Sequence, residues 1–459
     1  MNWENKAKKF SGLNISNENL ESKELRSKIV ELSVEYFHKH HNKKKFIPGE
    51  SFISASGKYL TEHDLVNLVD SSLDLWLTSG RFADEFERKL ALCFGSKFAA
   101  PTVSGSAANL LAFTALTSDF FGKKKIVDGD EVITVAAGFP TTVAPIIHNR
   151  CIPVYLDVDL KTANIETSLL QKAISKKTKA VMLAHTLGNP FDLEVVQKFC
   201  QENELYLIED CCDAFGSNFD SKPVGSFGIF STLSFYAAHH ITTGEGGAVM
   251  YNDVKLRRII ESYRDWGRDC WCLTGMNNTC NKRYDWELGK VPKGYDHKFI
   301  FSHVGFNLKM TDMQAAIGLS QLDKVDYFIK KRKENFYYLK NKFIEEELGK
   351  YFILPESHQK SDPSWYGFLI TIKDNKLFTR NEIVKFLNEK RIITRLLFAG
   401  NLTKQPGYMS KNSRIIGDLK NTDKFMNDSF WIGVWPGLDK EHLDYMLNSI
   451  KDFISKTKK

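Results

Sequence analysis

The 459-residue chain has no run approaching the roughly 18 to 20 apolar residues that a membrane-crossing helix needs. Its first residues, MNWENKAKKFSG, lack the apolar core of a secretory leader. No internal repeat and no low-complexity linker interrupts it. These absences argue against membrane and fibrous classes and lead us to expect a cytosolic protein. Strong charge bias is also missing: 63 Lys+Arg against 56 Asp+Glu leave +7, much of it at Lys43, Lys44, Lys45, Lys456, Lys458 and Lys459. Such clusters read as solvated surface, not as a nucleic-acid-binding face. What is present is an ordinary globular composition, 42% hydrophobic and 26% charged, on a chain long enough for two or three domains. Disulfides are rare in the cytosol, so the eight cysteines are read as buried thiols, metal ligands or redox groups.

Residues 1–60 read as an N-terminal helical extension, in which Leu25, Ile29, Leu32 and Tyr36 form an apolar stripe for docking. Two helices are expected over 62–95, the second carrying Phe82, Phe86 and Leu90. From about residue 100, short apolar runs (131–137, 152–158, 179–185, 205–210) alternate with helical segments, the signature of a largely parallel α/β sheet. A large α/β domain is expected over 61–325 and a smaller C-terminal α/β domain over 326–459. Residues 265–300 form a polar, aromatic insert with three cysteines, and inserts of that length are usually functional. After it, 310–336 reads as one long amphipathic helix.

Three segments carry chemistry. VSGSAANLL (103–111) is a small-residue turn opening a helix, whose free N–H groups suit an anion. LIEDCCDAFGS (207–217) puts acids at the carboxyl end of a strand, where open α/β sheets bind ligands; Asp210 is either a helix cap or a functional acid. STLSFYAAHHITTGEGGAVM (231–250) sets two histidines before a Gly-Glu-Gly-Gly turn.

The third segment resembles the signature SF-x-x-x-K-N-I-T-T-G-E-G-G of the DegT/DnrJ/EryC1 family of fold-type I pyridoxal-phosphate enzymes, with His239 where the cofactor-binding lysine belongs. The resemblance extends from about residue 75 to the C-terminus through TSGRFADEFE (78–87), IEDCCDAFGS (208–217) and GFNLKMTDMQAAIGLSQL (305–322). It implies an aspartate-aminotransferase-like fold, with a large, mostly parallel sheet domain. Matched position by position, it puts the cofactor phosphate on the Ser106 and Ala107 N–H groups and the Ser234 hydroxyl, with Asn307 arriving from a second subunit of a homodimer. Phe139 matches the residue that stacks on the pyridine ring, Asp210 the partner of the ring nitrogen, and Asp213 the contact of the ring hydroxyl, where transaminases commonly have Gln or His. Lys309 stands where they usually carry Arg. Imidazole cannot hold the cofactor covalently but is a capable general base. Members with this substitution use pyridoxamine phosphate (PMP) to remove the C3 hydroxyl of a 4-keto-6-deoxy nucleotide sugar.

Cys212, Cys270, Cys272 and Cys280 follow the spacing Cys-x57-Cys-x-Cys-x7-Cys. It resembles the iron–sulfur subclass of CDP-4-keto-6-deoxyglucose 3-dehydrases, which implies a 2Fe–2S cluster and a separate NAD(P)H-dependent flavin and iron–sulfur reductase. Four thiolates suit such a cluster, and structural zinc or inert buried thiols remain open as other readings. Cys93, Cys151 and Cys200 are expected in the core. Two alternatives stand beside this route: a cluster-free, glutamate-using 3-dehydratase, and a non-catalytic sugar-nucleotide-binding relative.

Overall fold

The computed structural model describes residues 20–41, 45–272, 275–374 and 376–457. The segment MNWENKAKKFSG and Lys43, Lys44, Lys458 and Lys459 of the basic ends lie outside them.

Helix α1 (Leu20–His40) precedes α2 (Glu62–Leu73) and α3 (Arg81–Phe94). The expected docking stripe of α1 does not dock: Leu25, Ile29, Leu32 and Tyr36 are all exposed. A charged residue faces the body instead. Arg26 bonds Asp70 at 2.5 Å and Asp74 at 2.6 Å, and Arg81 pairs with the same two carboxylates. On α3, Phe82, Phe86, Leu90 and Phe94 are buried, worth about 1.5–3 kcal/mol each by apolar transfer.

The strands of the main sheet and of the second core are β1 (Phe98–Thr102), β2 (Glu131–Val135), β3 (Ile152–Leu156), β4 (Thr178–Ala184), β5 (Tyr206–Asp210), β6 (Phe230–Ser234), β7 (Gly247–Tyr251), β8 (Phe352–Ile353), β9 (Gly367–Ile372), β10 (Arg414–Ile415) and β11 (Ser429–Gly433). Eight of them form one sheet in the order β1-β7-β6-β5-β4-β2-β3-β10. Strand β7 runs antiparallel to both neighbours and the other pairs are parallel. Every residue of β2 and β7 is buried, because packing elements cover both faces of the sheet. This is the expected fold class.

Helix α4 (Gly105–Ala115) follows β1, and α5 (Pro140–His148) follows β2. The helix expected over 310–336 is in fact two, α6 (Asp312–Leu322) and α7 (Val325–Glu345). They part at Lys324 (φ −109°, ψ 0°), whose ammonium is drawn to Asp64 at 2.7 Å. Helix α6 packs on α3, so closely that a Cβ at Gly318 would lie 2.6 Å from the Phe86 ring. Helix α7 leads to a second core, where Phe336, Leu339 and Phe343 pack with residues of β8, β9 and β11, which form a three-stranded antiparallel sheet. Phe46 and Ile53 belong to the same core. Cys151 and Cys200 are buried as expected, whereas Cys93 is exposed, on a face of α3 turned from the core.

Candidate active site

The carboxyl ends of β4, β5 and β6 open into a cavity of about 1070 Å³ lined by Gly105, Ser106, Phe139, Asp210, Cys212, Asp213, Ser234 and His239, among others. Strand alternation separates the two acids of β5. Glu209 is fully buried and accepts backbone N–H bonds from Gly225 (2.7 Å), Phe227 (2.8 Å) and Gly228 (2.7 Å). It also lies 3.2 Å from His185 Nε2, so its lone pairs are used structurally. Asp210 faces the cavity. Its Oδ2 accepts from Asn109 Nδ2 (2.8 Å) and Thr142 Oγ1 (2.7 Å), and its Oδ1 from the Cys212 N–H (3.1 Å).

The cup for an anion is the first turn of α4. Ser104 caps it by accepting the Ala107 N–H at 3.1 Å. Ala107 is therefore engaged within the chain, and the cavity wall is formed by Gly105 and Ser106. Gly105 is required there: a Cβ would fall 2.4 Å from Ser234 Cβ and 3.1 Å from Cys212 Sγ. Ser234, at the end of β6, completes the cup.

His239 sits in the turn after β6, with Nδ1 3.3 Å from the Ser234 carbonyl oxygen and Nε2 3.7 Å from Asp213 Oδ1. The carbonyl assigns the ring proton to Nδ1, leaving the Nε2 lone pair free. Burial pulls its pKa down to about 4, against the Ser234 carbonyl and Asp210, which pull the other way. Burial pushes Asp213 up to about 8, helped by the nearby Asp210 charge and opposed by Arg332. At neutral pH the His239 imidazole is thus uncharged. The Tyr366 ring meets it edge-on at 5.4 Å. Arg332 on α7 is fully buried behind the site and donates to the Tyr366 carbonyl at 3.2 Å.

Asn307 and the insert cysteines lie elsewhere. Asn307 pairs with Asp265 and accepts from Lys309 Nζ at 2.8 Å, and it does not line the cavity of its own chain. Lys309, Cys270 and Cys272 line a second cavity of about 1090 Å³. The Cys272 N–H is 3.5 Å from Cys270 Sγ, Thr279 Oγ1 donates to Cys272 Sγ at 3.1 Å, and Cys280 Sγ is 3.9 Å from His297 Nδ1. Three of the four spaced cysteines therefore gather in the insert, while Cys212 sits in the first cavity, against the anion cup. Sequence reasoning missed Asn109, Thr142 and Arg332. Asn109 falls inside the motif at 103–111 and Thr142 three residues after Phe139, but nothing in the sequence points their side chains at Asp210.

The residues fit a phosphopyridine cofactor held without a covalent bond. The backbone cup would suit the phosphate, the oriented buried carboxylate the ring nitrogen and the aromatic face of Phe139 the ring, while an imidazole stands in the lysine position. The lipopolysaccharide biosynthesis protein RfbH of Salmonella typhimurium is 52% identical over 94% of this chain and 98% of its own length. The dTDP-4-dehydro-2,6-dideoxy-D-glucose 3-dehydratase of Saccharopolyspora spinosa is 46% identical over 93% and 91%. A solved GDP-4-keto-6-deoxymannose-3-dehydratase with a trapped PLP-glutamate geminal diamine superposes at TM-score 0.76, with 27% identity over 86% of this chain and 99% of that one. The model of the DegT/DnrJ/EryC1/StrS aminotransferase family matches residues 60–451, and the chain belongs to that family.

Proposed function

We propose that the protein is a pyridoxal- or pyridoxamine-phosphate-dependent 3-dehydratase that removes the C3 hydroxyl of a nucleotide-linked 4-keto-6-deoxyhexose. The observation that carries this is His239, an uncharged base at the lysine position inside an otherwise complete cofactor cavity. A dead relative has no reason to keep cup, ring acid and base together. Bound there, the cofactor supplies an amine that condenses with a carbonyl and a ring that takes up the electrons released at the reacting carbons. The chain's residues do the rest. Asp210, aimed by Asn109 and Thr142, holds a proton on the ring nitrogen. His239 Nε2 accepts the proton removed at the carbon attached to the cofactor nitrogen, and the protonated imidazole then faces Asp213. With no lysine at 239, the cofactor would be held by non-covalent contacts alone.

The cluster-free, glutamate-using route is the better supported one, because a 3-dehydratase of similar structure carries a PLP-glutamate adduct. A reductive route through a 2Fe–2S cluster and an NAD(P)H-dependent reductase is a second reading, favoured by the gathering of Cys270, Cys272 and Cys280. The role of RfbH in lipopolysaccharide biosynthesis supports a 3,6-dideoxyhexose destined for surface polysaccharide. Asn307 lies outside its own chain's cavity, as a residue serving a second copy would, and we infer a homodimer. No helix among the described residues is long and apolar enough to cross a membrane. The test is purified protein given a 4-keto-6-deoxy nucleotide sugar, PLP and glutamate, with product analysis and an anaerobic iron and sulfide assay. Deoxygenation with glutamate and no iron establishes the first route. Turnover only with iron, sulfide and a reductase establishes the second. Transamination at C4 without loss of the C3 hydroxyl would refute both.

A further inference from the structure

The cofactor cup offers an anion N–H and O–H groups but no cation. Among the described residues of this chain, two with permanent positive charge bound the same cavity elsewhere, Lys58 and Arg395. They are 337 positions apart in sequence, yet the fold builds them into one wall. The extended segment around Ile53 lies beside the strand-like stretch 391–395: the Ile53 N–H donates to the Arg391 carbonyl at 2.9 Å, and the Ile393 N–H returns to Ile53 at 2.9 Å. Trp435 Nε1 donates to the Ser54 carbonyl at 3.0 Å, and Gly57 passes so close to the Trp435 ring that a Cβ would lie 2.8 Å from it. Arg395 is fixed from the other side by reciprocal bonds with Trp431, at 3.1 and 2.7 Å. Two independent sets of backbone contacts therefore carry these cations to the cavity.

Neither cation is neutralised there. Among the described residues neither forms an ion pair, and the one side-chain bond recorded for Arg395 is to the carbonyl of its neighbour Thr394, at 3.1 Å. Both side chains are exposed on the cavity wall and so stand free to take a second anion, distinct from the cofactor phosphate. A diphosphate carries about two negative charges and presents paired oxygens that a guanidinium fork and an ammonium recognise together.

We infer that Lys58 and Arg395 bind the diphosphate of the nucleotide-linked substrate and so anchor the sugar over the cofactor. This rests on the nucleotide-sugar reading above and adds the residues that recognise the nucleotide's charge.

The test is calorimetric titration of CDP, dTDP and GDP, each separately, into the PLP-loaded wild type and into Lys58→Gln, Arg395→Gln and Arg395→Lys. Loading with PLP keeps the cup from competing for the probe, and the PLP absorbance band verifies that each variant retains its folded site. At least one diphosphate is expected to bind the wild type. Each Gln variant should weaken it about tenfold or more, as loss of one charged hydrogen-bonding partner does, and Arg395→Lys should recover part of the loss. The matching monophosphate should show a smaller penalty. Affinities within twofold of wild type in both Gln variants, with PLP bound normally, would overturn the inference and leave the proposed activity standing. Failure of the wild type to bind any of the three diphosphates would overturn the nucleotide-sugar reading itself.

Discussion

Asp210→Asn asks most of this site. The buried carboxylate faces three donors: Asn109 Nδ2 and Thr142 Oγ1 on one oxygen, and the Cys212 N–H on the other at 3.1 Å. An amide has only one acceptor oxygen. Its favoured rotamer keeps that oxygen toward Asn109 and Thr142 and turns the NH₂ onto the Cys212 N–H, leaving a buried donor unmatched at a cost of about 1–3 kcal/mol. The variant should fold, with a Tm a few degrees lower. It should lose at least about a hundredfold in kcat, because the ring nitrogen no longer faces a charge. There is a second consequence. Burial is the larger cause of the Asp213 shift to about 8 and the Asp210 charge the next, so removing that charge moves Asp213 down. The alkaline limb of kcat/KM should then shift to lower pH. Scanning calorimetry, a PLP absorbance titration and a pH–rate profile read all three effects. Wild-type kcat with an unmoved alkaline limb would refute the geometric reasoning.

His239→Asn should keep PLP binding within a few fold while lowering turnover about 10²–10⁴-fold, the usual worth of a general base; lost binding would point to a structural role. Gly105→Ala places a Cβ 2.4 Å from Ser234 Cβ and should abolish the PLP absorbance titration with the protein still folded. The pH profile of the wild type should be bell-shaped. His239 is held down at about 4, so its basic form is lost only as pH falls through that value; neutral Asp213, held up at about 8, is lost as pH rises through it. An acid limb near 6.5 would mean that His239 titrates as a solvated imidazole. Replacing Cys270, Cys272 and Cys280 together by Ser should leave glutamate-supported turnover intact if the route is cluster-free, and abolish it if electrons pass through the insert.

Much of the fold was legible because period and punctuation agree. The apolar runs at 131–137 and 205–210 lie in a sheet covered on both faces, and the small-residue turn at 103–107 opens a helix as expected. What failed depended on partners distant in sequence. The stripe Leu25, Ile29, Leu32 and Tyr36 has helical spacing, but the ion pairs of Arg26 with Asp70 and Asp74 decide which side of α1 faces inward. The pattern at 310–336 is continuous, yet Asp64 draws Lys324 out of it. Within the site, His239 and Asp210 stood out by type and position. Asn109 and Thr142 did not, because each meets Asp210 across more than 60 residues of sequence.

The end of β5 behaves as a clamp. Glu209 is gripped by three backbone N–H groups of the loop at 225–228, whereas most strand ends fray into solvent. Its neighbour Asp210, turned to the opposite side, inherits that stillness without sharing the bonds. The loop that grips Glu209 leads directly into β6, whose last residue, Ser234, closes the anion cup. The two ends proposed to hold the cofactor's ring nitrogen and phosphate are thus gauged from one fixed point, a carboxylate outside the cavity. A substitution at Glu209 should therefore blur the distance between those two ends, lowering cofactor affinity and turnover together.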